Sequence, residues 1–600
     1  MDFIINNLTS ALANMAAVQQ PPQETPPPLK DLPTAKQKKY DRQLRLWGAT
    51  GQEALEKTHV LLINSGTGVT GVETLKNLVL PGIGNFTIAD ASQVTEADLG
   101  VNFFLDDDSL GQFRASETVR LLVELNPDVR GHAVTEPLEE FVTKDFTPYT
   151  LILVAAPVDP DMLSTIQVKA QEMGIPVFYM HCVGYYSHFS LQLPSAFPIV
   201  DTHPDPIATT DLRLTKPWPA LSEFAKEKAA DMNNMKPEDK AHIPYVALLL
   251  HYLEEWRAVH DGKIPDTYKE KTAFRDMVRR GSPDEENFDE ACAAVLKSLN
   301  PPTPSSTVRD ILSAPEAQNL TPTSPSFWVI AHAVNAFYST HNQLPLPGAV
   351  PDMKARSADY IMLQNIYKTK ARTDAAEVLS NVRFLGKSTS RSTDLEITES
   401  EIENFCKQAA HIALVRGRPL QSVQPSNSSD TGSNSKSKNQ PISFGVRAKA
   451  LAQDLTNPES LIGLYLSFLA WDVFIATHSP PTTAAPMIST LNTPGSTRTT
   501  EAFEKDTARL TSIAHALVDC LINEAETRIE DPEYISIKTK VGRYCTELAR
   551  AGGGELHNLA ALTGGMVSQE AIKVITRQYV PVDNCCLFDG VGSRGYILRV

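Results

Sequence analysis

Between Tyr40 and about Leu193, short runs of β-branched and other apolar residues alternate with stretches of helical periodicity. Residues 59–64 (HVLLIN), 86–90, 129–135, 151–156 and 176–180 read as strands, the first of them buried and 151–156 apolar on both faces. Residues 69–80 read as a helix closed by Pro81-Gly82, 110–125 as a helix ended by Asn126-Pro127, and 162–173 as a third. Strands alternating with helices imply a parallel sheet covered on both faces, the doubly wound, Rossmann-like α/β architecture.

From about Asp211 to Ala476 the pattern turns helical with little strand signal, with helices expected over 245–260, 272–280, 287–299 and 374–382. The longest apolar run, Leu461 to Ala476, carries Ser467 and Asp472 and is shorter than the ~20 residues that span a bilayer, so it reads as a buried helix. The C-terminal part returns to α/β: Gly552 to Gly554, a helix over 556–576, and strands over 585–589 and 596–600. A sheet resumed after a helical stretch implies one α/β domain made from both ends of the chain, with the middle inserted.

The expected organisation follows. Residues 1–37 form a disordered leader, with six prolines between Gln19 and Pro33; 38–193 form the first part of the α/β domain. Residues 194–500 form a helical insertion that carries two polar, low-complexity stretches read as disordered, 421–443 and 478–500; 501–600 complete the α/β domain. The first lysine is Lys30, and polar residues interrupt the stretch Leu8 to Val18, so no secretory signal is expected.

Composition narrows the functions. Six hundred residues exceed a single small binding module, and 42% hydrophobic residues exclude global disorder. A net charge of −16 without a basic stripe speaks against nucleic acid as a partner. Seven cysteines with no Cys-x-x-Cys argue against a disulfide framework and a zinc site, and the expected location is cytoplasmic and nuclear, with no membrane anchor.

Gly66-Thr67-Gly68-Val69-Thr70-Gly71 follows a predicted strand and opens a predicted helix. In that context glycines let backbone approach a phosphate, whose charge meets the helix N-terminus. Asp90 ends the next strand, where an acid could take a ribose hydroxyl. The alternative is glycines that serve only tight strand–helix packing. Dinucleotide oxidoreductases and adenylating enzymes both fit the motif.

Flanking residues separate these. Tyr40-Asp41-Arg42-Gln43-Leu44-Arg45-Leu46-Trp47-Gly48, Leu80-Pro81-Gly82-Ile83-Gly84, Asn102-Phe103-Phe104 and Asp211-Leu212-Arg213-Leu214 belong to one set of motifs. Gly262-Lys263-Ile264-Pro265-Asp266-Thr267-Tyr268, Pro325-Ser326-Phe327-Trp328, Leu363-Gln364-Asn365 and Ala571-Ile572-Lys573 extend it along the chain. The set resembles the regulatory subunits of heterodimeric activating enzymes for NEDD/Rub-type ubiquitin-like modifiers, within the ThiF/MoeB-type adenylation family. The resemblance spans 38–600 apart from the polar stretches.

It implies a catalytic partner subunit that holds ATP, Mg²⁺ and the thioester cysteine, with no cofactor or metal held by this chain. The modifier is then the second partner. Since the sequence stops at Val600, soon after the last predicted strands, docking of a conjugating enzyme is also expected of the partner.

Departures from catalytic members point the same way. The resemblance places an Asp-x-Asp and an Asn/Arg-Gln set after the second strand, where this chain has Asp90-Ala91-Ser92, Asp98, Val101 and Asn102. Arg114 stands for a phosphate-binding Lys, and the Mg²⁺-binding Asp is replaced by a shifted Asp159. Gly66, Gly68, Gly71, Asp90 and Arg114 therefore make a degenerate loop, expected not to serve catalysis.

Cys182, Cys292 and Cys406 lack the context of an activated thiol and read as buried structural cysteines. The resemblance assigns Arg42 a contact in trans with phosphates in the partner's site, and Arg45 is the second choice. By charge pattern alone Arg42 would be a surface side chain pairing with Asp41 or Glu53. Two rival functions remain at this point: an NAD-dependent oxidoreductase, resting on the loop and Asp90, and a non-enzymatic scaffold.

Overall fold

The computed structural model describes residues 33–205, 210–232, 234–282, 284–299, 303–392, 396–421, 442–478 and 500–600. Most of the proline-rich leader and nearly all of both polar stretches lie outside the described residues.

Of the described residues, 33–48 belong to a unit of their own. Helix α1 (Ala35–Lys39) has a capping box: Thr34 Oγ1 accepts from Gln37 N at 3.1 Å, and Gln37 Oε1 accepts from Thr34 N at 2.8 Å. Helix α2 (Asp41–Lys57) begins in this unit and breaks at Gly48, whose φ of +69° leaves the helical region.

The second unit, Ala49–Val600, is built on an eight-stranded sheet. In chain order its strands are β1 (His59–Asn64), β2 (Asn85–Ala89), β3 (Arg130–Val134), β4 (Leu151–Ala155), β5 (Val177–Val183), β6 (Tyr186–Gln192), β9 (Cys585–Asp589) and β10 (Arg594–Leu598). Their spatial order is β10-β9-β6-β5-β4-β1-β2-β3. Strands β7 (Phe197–Val200) and β8 (Ile412–Val415) pair separately.

The sheet is mixed rather than purely parallel. β3, β2, β1, β4 and β5 run parallel, whereas β5–β6, β6–β9 and β9–β10 are antiparallel. The reversal follows from the two-residue turn Gly184-Tyr185, where Gly184 sits at φ +55°; a turn that short cannot return a strand in parallel. β6 escapes a reading by hydrophobicity because it carries Ser187, His188, Ser190 and Gln192, all buried.

Helices cover both faces. Leu61, Ile63, Ile152, Val154 and Tyr179 pack under helix α5 (Pro160–Met173), which Asp159 caps at its N-terminus. On the other face helix α3 (Val69–Val79) lies so close that a Cβ on Gly71 would stand 2.7 Å from Leu62 Cδ1. Helix α11 (His557–Thr576) packs on α3 across Gly564, whose missing side chain lets backbone reach Thr74 N.

The helix predicted over 110–125 begins only at Arg114, as helix α4 (Arg114–Glu124). Gly111 at φ +77° and a bridge from Phe113 to Gln93 hold the preceding residues out of the helix, and Arg114 N donates to Ser92 O at 2.9 Å.

Among the described residues of the helical part, two apolar cores stand out. Helix α6 (Tyr245–Val259) centres the first, and helix α7 (Ser357–Ser388) runs through both, giving Leu363 and Tyr367 to one and Val378 and Val382 to the other. The predicted segment 374–382 is only the middle of α7, because its apolar face changes partner along its length. Helices α8 (Ile462–His478), α9 (Thr500–Glu524) and α10 (Asp531–Ala551) form one further core with Val183, Tyr186, Leu587 and Leu598 of the sheet. Residues 442–478, read from sequence with the insertion, thus pack on the α/β sheet.

Candidate functional site

The glycine loop follows β1 and opens α3, as its sequence context requires. Gly68 is the N-cap of α3 at φ +72°, a conformation that glycine adopts without strain. The first N–H groups of α3 have no partner within the helix and would ordinarily meet a phosphate.

Here they meet a carboxylate of the same chain. Glu555 Oε2 accepts from Val69 N at 2.7 Å and from the Thr67 hydroxyl, while Oε1 accepts from Thr70 N at 3.2 Å and from Thr70 Oγ1 at 2.5 Å. Glu555 is 9% exposed. Its backbone is pinned by Gly184 N donating to Gly554 O at 2.9 Å and by a parallel bridge between Gly184 and Glu555.

The other predicted residues do converge on the loop, but on one another. Arg114 is 6% exposed; its Nε donates to Asp90 Oδ2 at 2.7 Å, one terminal nitrogen to Asp98 Oδ1 at 2.9 Å, and the other to Gly66 O at 2.6 Å. Burial works against its charge, and the Asp90 and Asp98 carboxylates more than offset that, so the guanidinium is held above its usual value. Asp90 also accepts from Asn64 Nδ2 at 2.7 Å and from Ser92 N at 2.9 Å.

A Cβ on Gly68 would lie 2.0 Å from Asn64 Nδ2, and one on Gly66 would lie 2.7 Å from Pro157 Cδ, so side chains fill the space that the glycines vacate. Both Asp90 oxygens accept from donors of this chain, Oδ1 from Ser92 N and Oδ2 from Asn64 and Arg114, and Arg114 has no free fork for a phosphate. Three carboxyl groups with one guanidinium around the loop would also oppose a polyphosphate. Asp159, the shifted acid, accepts from Asp161 N and Met162 N as the α5 cap.

In the first unit Arg42 is exposed and has no recorded partner among the described residues, whereas Arg45 pairs with Asp41 at 3.1 Å. Glu53, the other candidate partner of Arg42, pairs with Lys57 at 2.6 Å.

The three candidate thiols are sheltered. Cys182, Cys292 and Cys406 are buried. Burial pushes Cys182 well up, Cys292 up, and Cys406 up to about 12. Cys406 borders a cleft of about 340 Å³ with Arg213 and His411, but is itself 2% exposed.

Sequence reasoning missed Glu555. The available signal was an acid placed directly after Gly552-Gly553-Gly554 and just before a helix, but its partner lies almost five hundred residues upstream.

Comparison with known proteins matches this architecture. The ThiF family model covers residues 40–594. The NEDD8-activating enzyme E1 regulatory subunit of Xenopus laevis is 35% identical over 571 residues, covering 93% of this chain and 97% of that protein. Its namesake in Danio rerio is 36% identical over 577 residues, covering 94% and 98%. That of Drosophila melanogaster is 32% identical over 572 residues, covering 94% and 98%. A sheet assembled from both ends of the chain, a glycine loop at its centre and likeness along nearly the whole length agree: the chain belongs to the ThiF family and, within it, to the NEDD8-activating enzyme E1 regulatory subunits.

Proposed function

We propose that this chain is the non-catalytic half of a heterodimer in which a partner subunit adenylates the C-terminal glycine of a NEDD-type modifier with ATP and takes the modifier as a thioester. This chain supports modifier binding and lends Arg42 to the phosphates in the partner's site; ATP, Mg²⁺ and the reactive cysteine belong to the partner. The observation that carries the reading is the glycine loop whose helix N-terminus is taken by Glu555 and whose Asp90 and Arg114 bind each other, in a relative of regulatory subunits. Burial of Cys182, Cys292 and Cys406 supports placing the thioester elsewhere. The same occupied Asp90 counts against an NAD-dependent oxidoreductase.

The test is modifier-dependent ATP–pyrophosphate exchange. The chain alone should give none, and addition of a catalytic subunit at one to one should restore it. Exchange by the purified single chain would sink the reading, as would a mixture that stays silent although the two chains bind.

A further inference from the structure

We infer that Glu555 is a built-in replacement for a nucleotide phosphate. Its carboxylate occupies the anion seat of the glycine loop, closes that seat to free anions and nucleotides, and turns a binding loop into a joint between the two ends of the chain. The inference goes beyond the proposed subunit role and holds whichever partner the chain takes.

Four donors converge on the two carboxylate oxygens: Val69 N, Thr70 N and the hydroxyls of Thr67 and Thr70. All four come from the loop and the first turn of α3, the groups that a phosphate would engage. None of the recorded partners is a cation, so the helix N-terminus and the hydroxyls must balance the charge. The nearby guanidinium that could serve a polyphosphate, Arg114, is turned to Asp90, Asp98 and Gly66 O instead.

The acid is aimed by its own backbone. Gly552 and Gly553, at φ +59° and +83°, end α10 and turn the chain so that Gly554-Glu555 runs beside Gly184 at the end of β5. Two residues later His557 Nε2 lies 3.1 Å from Glu73 Oε1, a second link between the start of α11 and α3. Glu555 thus holds the C-terminal segment against residues 67–70 of the N-terminal one.

Thermal unfolding of the full chain tests this, comparing the parent, E555Q and E555A in chloride, inorganic phosphate, acetate and ATP at matched ionic strength. The parent should respond to none of these anions beyond the chloride control. E555Q keeps the shape but turns an amide N–H toward backbone donors; its Tm should fall by about 1–3 °C, with no recovery in phosphate. E555A opens the seat; its Tm should fall and regain at least half the loss in roughly 10 mM phosphate or acetate. ATP should do no better than phosphate, because Asp90 and Arg114 stay committed. An unchanged E555Q, a parent stabilised by phosphate or ATP, or an E555A that no anion restores would each overturn the inference. If E555A does not accumulate as folded protein, E555Q and the parent titration still decide.

Discussion

Arg42 shows how much a single side chain can owe to its neighbours. On charge pattern it should pair with Asp41 or Glu53, but Asp41 is taken by Arg45 and Glu53 by Lys57, through pairs one helical turn apart. The guanidinium is left exposed and available, whereas Arg45 is engaged. A guanidinium suits leaving pyrophosphate because it stays charged and donates two parallel hydrogen bonds. Losing one charge-assisted hydrogen bond costs ~1.5–3 kcal/mol, a rate loss of roughly 10- to 150-fold. Arg42→Ala should therefore assemble normally with the catalytic subunit yet slow single-turnover modifier adenylation by about that factor. Arg42→Lys should recover only part, since a point charge lacks the fork. Adenylation by Arg42→Ala within about twofold of the parent would shift attention to Arg45. The residue level was unevenly legible: the glycines, Asp90 and Arg114 are visible in the sequence as one constellation, but whether they face a ligand or each other depends on Asn64, Asp98 and Glu555.

Between elements, polar residues make the least expected contact. Tyr179 and His181 of β5 and His188 of β6 face Tyr465, Phe468 and Asp472 of α8 in a buried cluster. Tyr179 Oη donates to Asp472 Oδ2 at 3.2 Å, and His181 Nδ1 stands 3.4 Å from Asp472 Oδ1 without the alignment of a hydrogen bond. Burial pushes the Asp472 carboxyl up to about 8. It also pushes His188 down to about 3 and, with His188 as a second cause, His181 well below its usual value. The folded chain thus keeps a proton on Asp472 that the unfolded chain releases near pH 4, so this group's stabilisation is lost as pH rises toward about 8. The unfolded chain protonates both histidines below about 6.5 while the folded chain does not, so their stabilisation is lost as pH falls. Above pH 4 two histidine protons outweigh one carboxyl proton, and above 6.5 the carboxyl acts alone. The cluster's contribution should peak near pH 6.5 and fall on either side. Urea unfolding between pH 5 and 9 should show Asp472→Asn lacking the alkaline decline, and a parent–variant difference constant from pH 6.5 to 8 would refute this. The sequence marks α8 as a buried helix by its apolar run, yet β6 goes unseen because strand recognition rests on apolar alternation, which buried Ser, His and Gln break.

At the scale of the whole molecule, the sequence shows that the sheet is resumed at the C-terminal end, and the structure shows how the ends are joined. β9 adds to the β6 edge in register from Tyr186–Asp589 to Ser190–Cys585, and α11 lies on α3 through Gly564. Glu555 reaches the glycine loop, and Thr563 Oγ1 donates to Ser187 Oγ at 2.7 Å. Such long-range joints leave no local periodicity to read, which is why the sequence implies one α/β domain made from both ends but not the contacts that join them. The chain connecting the two sides passes through residues 422–441, outside the described residues and polar in composition. A protease site engineered there would split the chain into a part holding β1 to β8 and a part holding α8 to α11 with β9 and β10. Without its complement, the first part would expose the β6 edge and the apolar seat of α11 on α3, surfaces that promote aggregation. The cut fragments should therefore stay together as one particle in gel filtration at micromolar concentration and separate only in denaturant. Their unfolding midpoint should become concentration-dependent, because the cut turns an intramolecular joint into a bimolecular one. E555A carried into the cut protein should weaken fragment association, and phosphate should restore part of it. Fragments that separate under native conditions, each remaining soluble and folded, would show that the two ends are independent units rather than halves of one sheet.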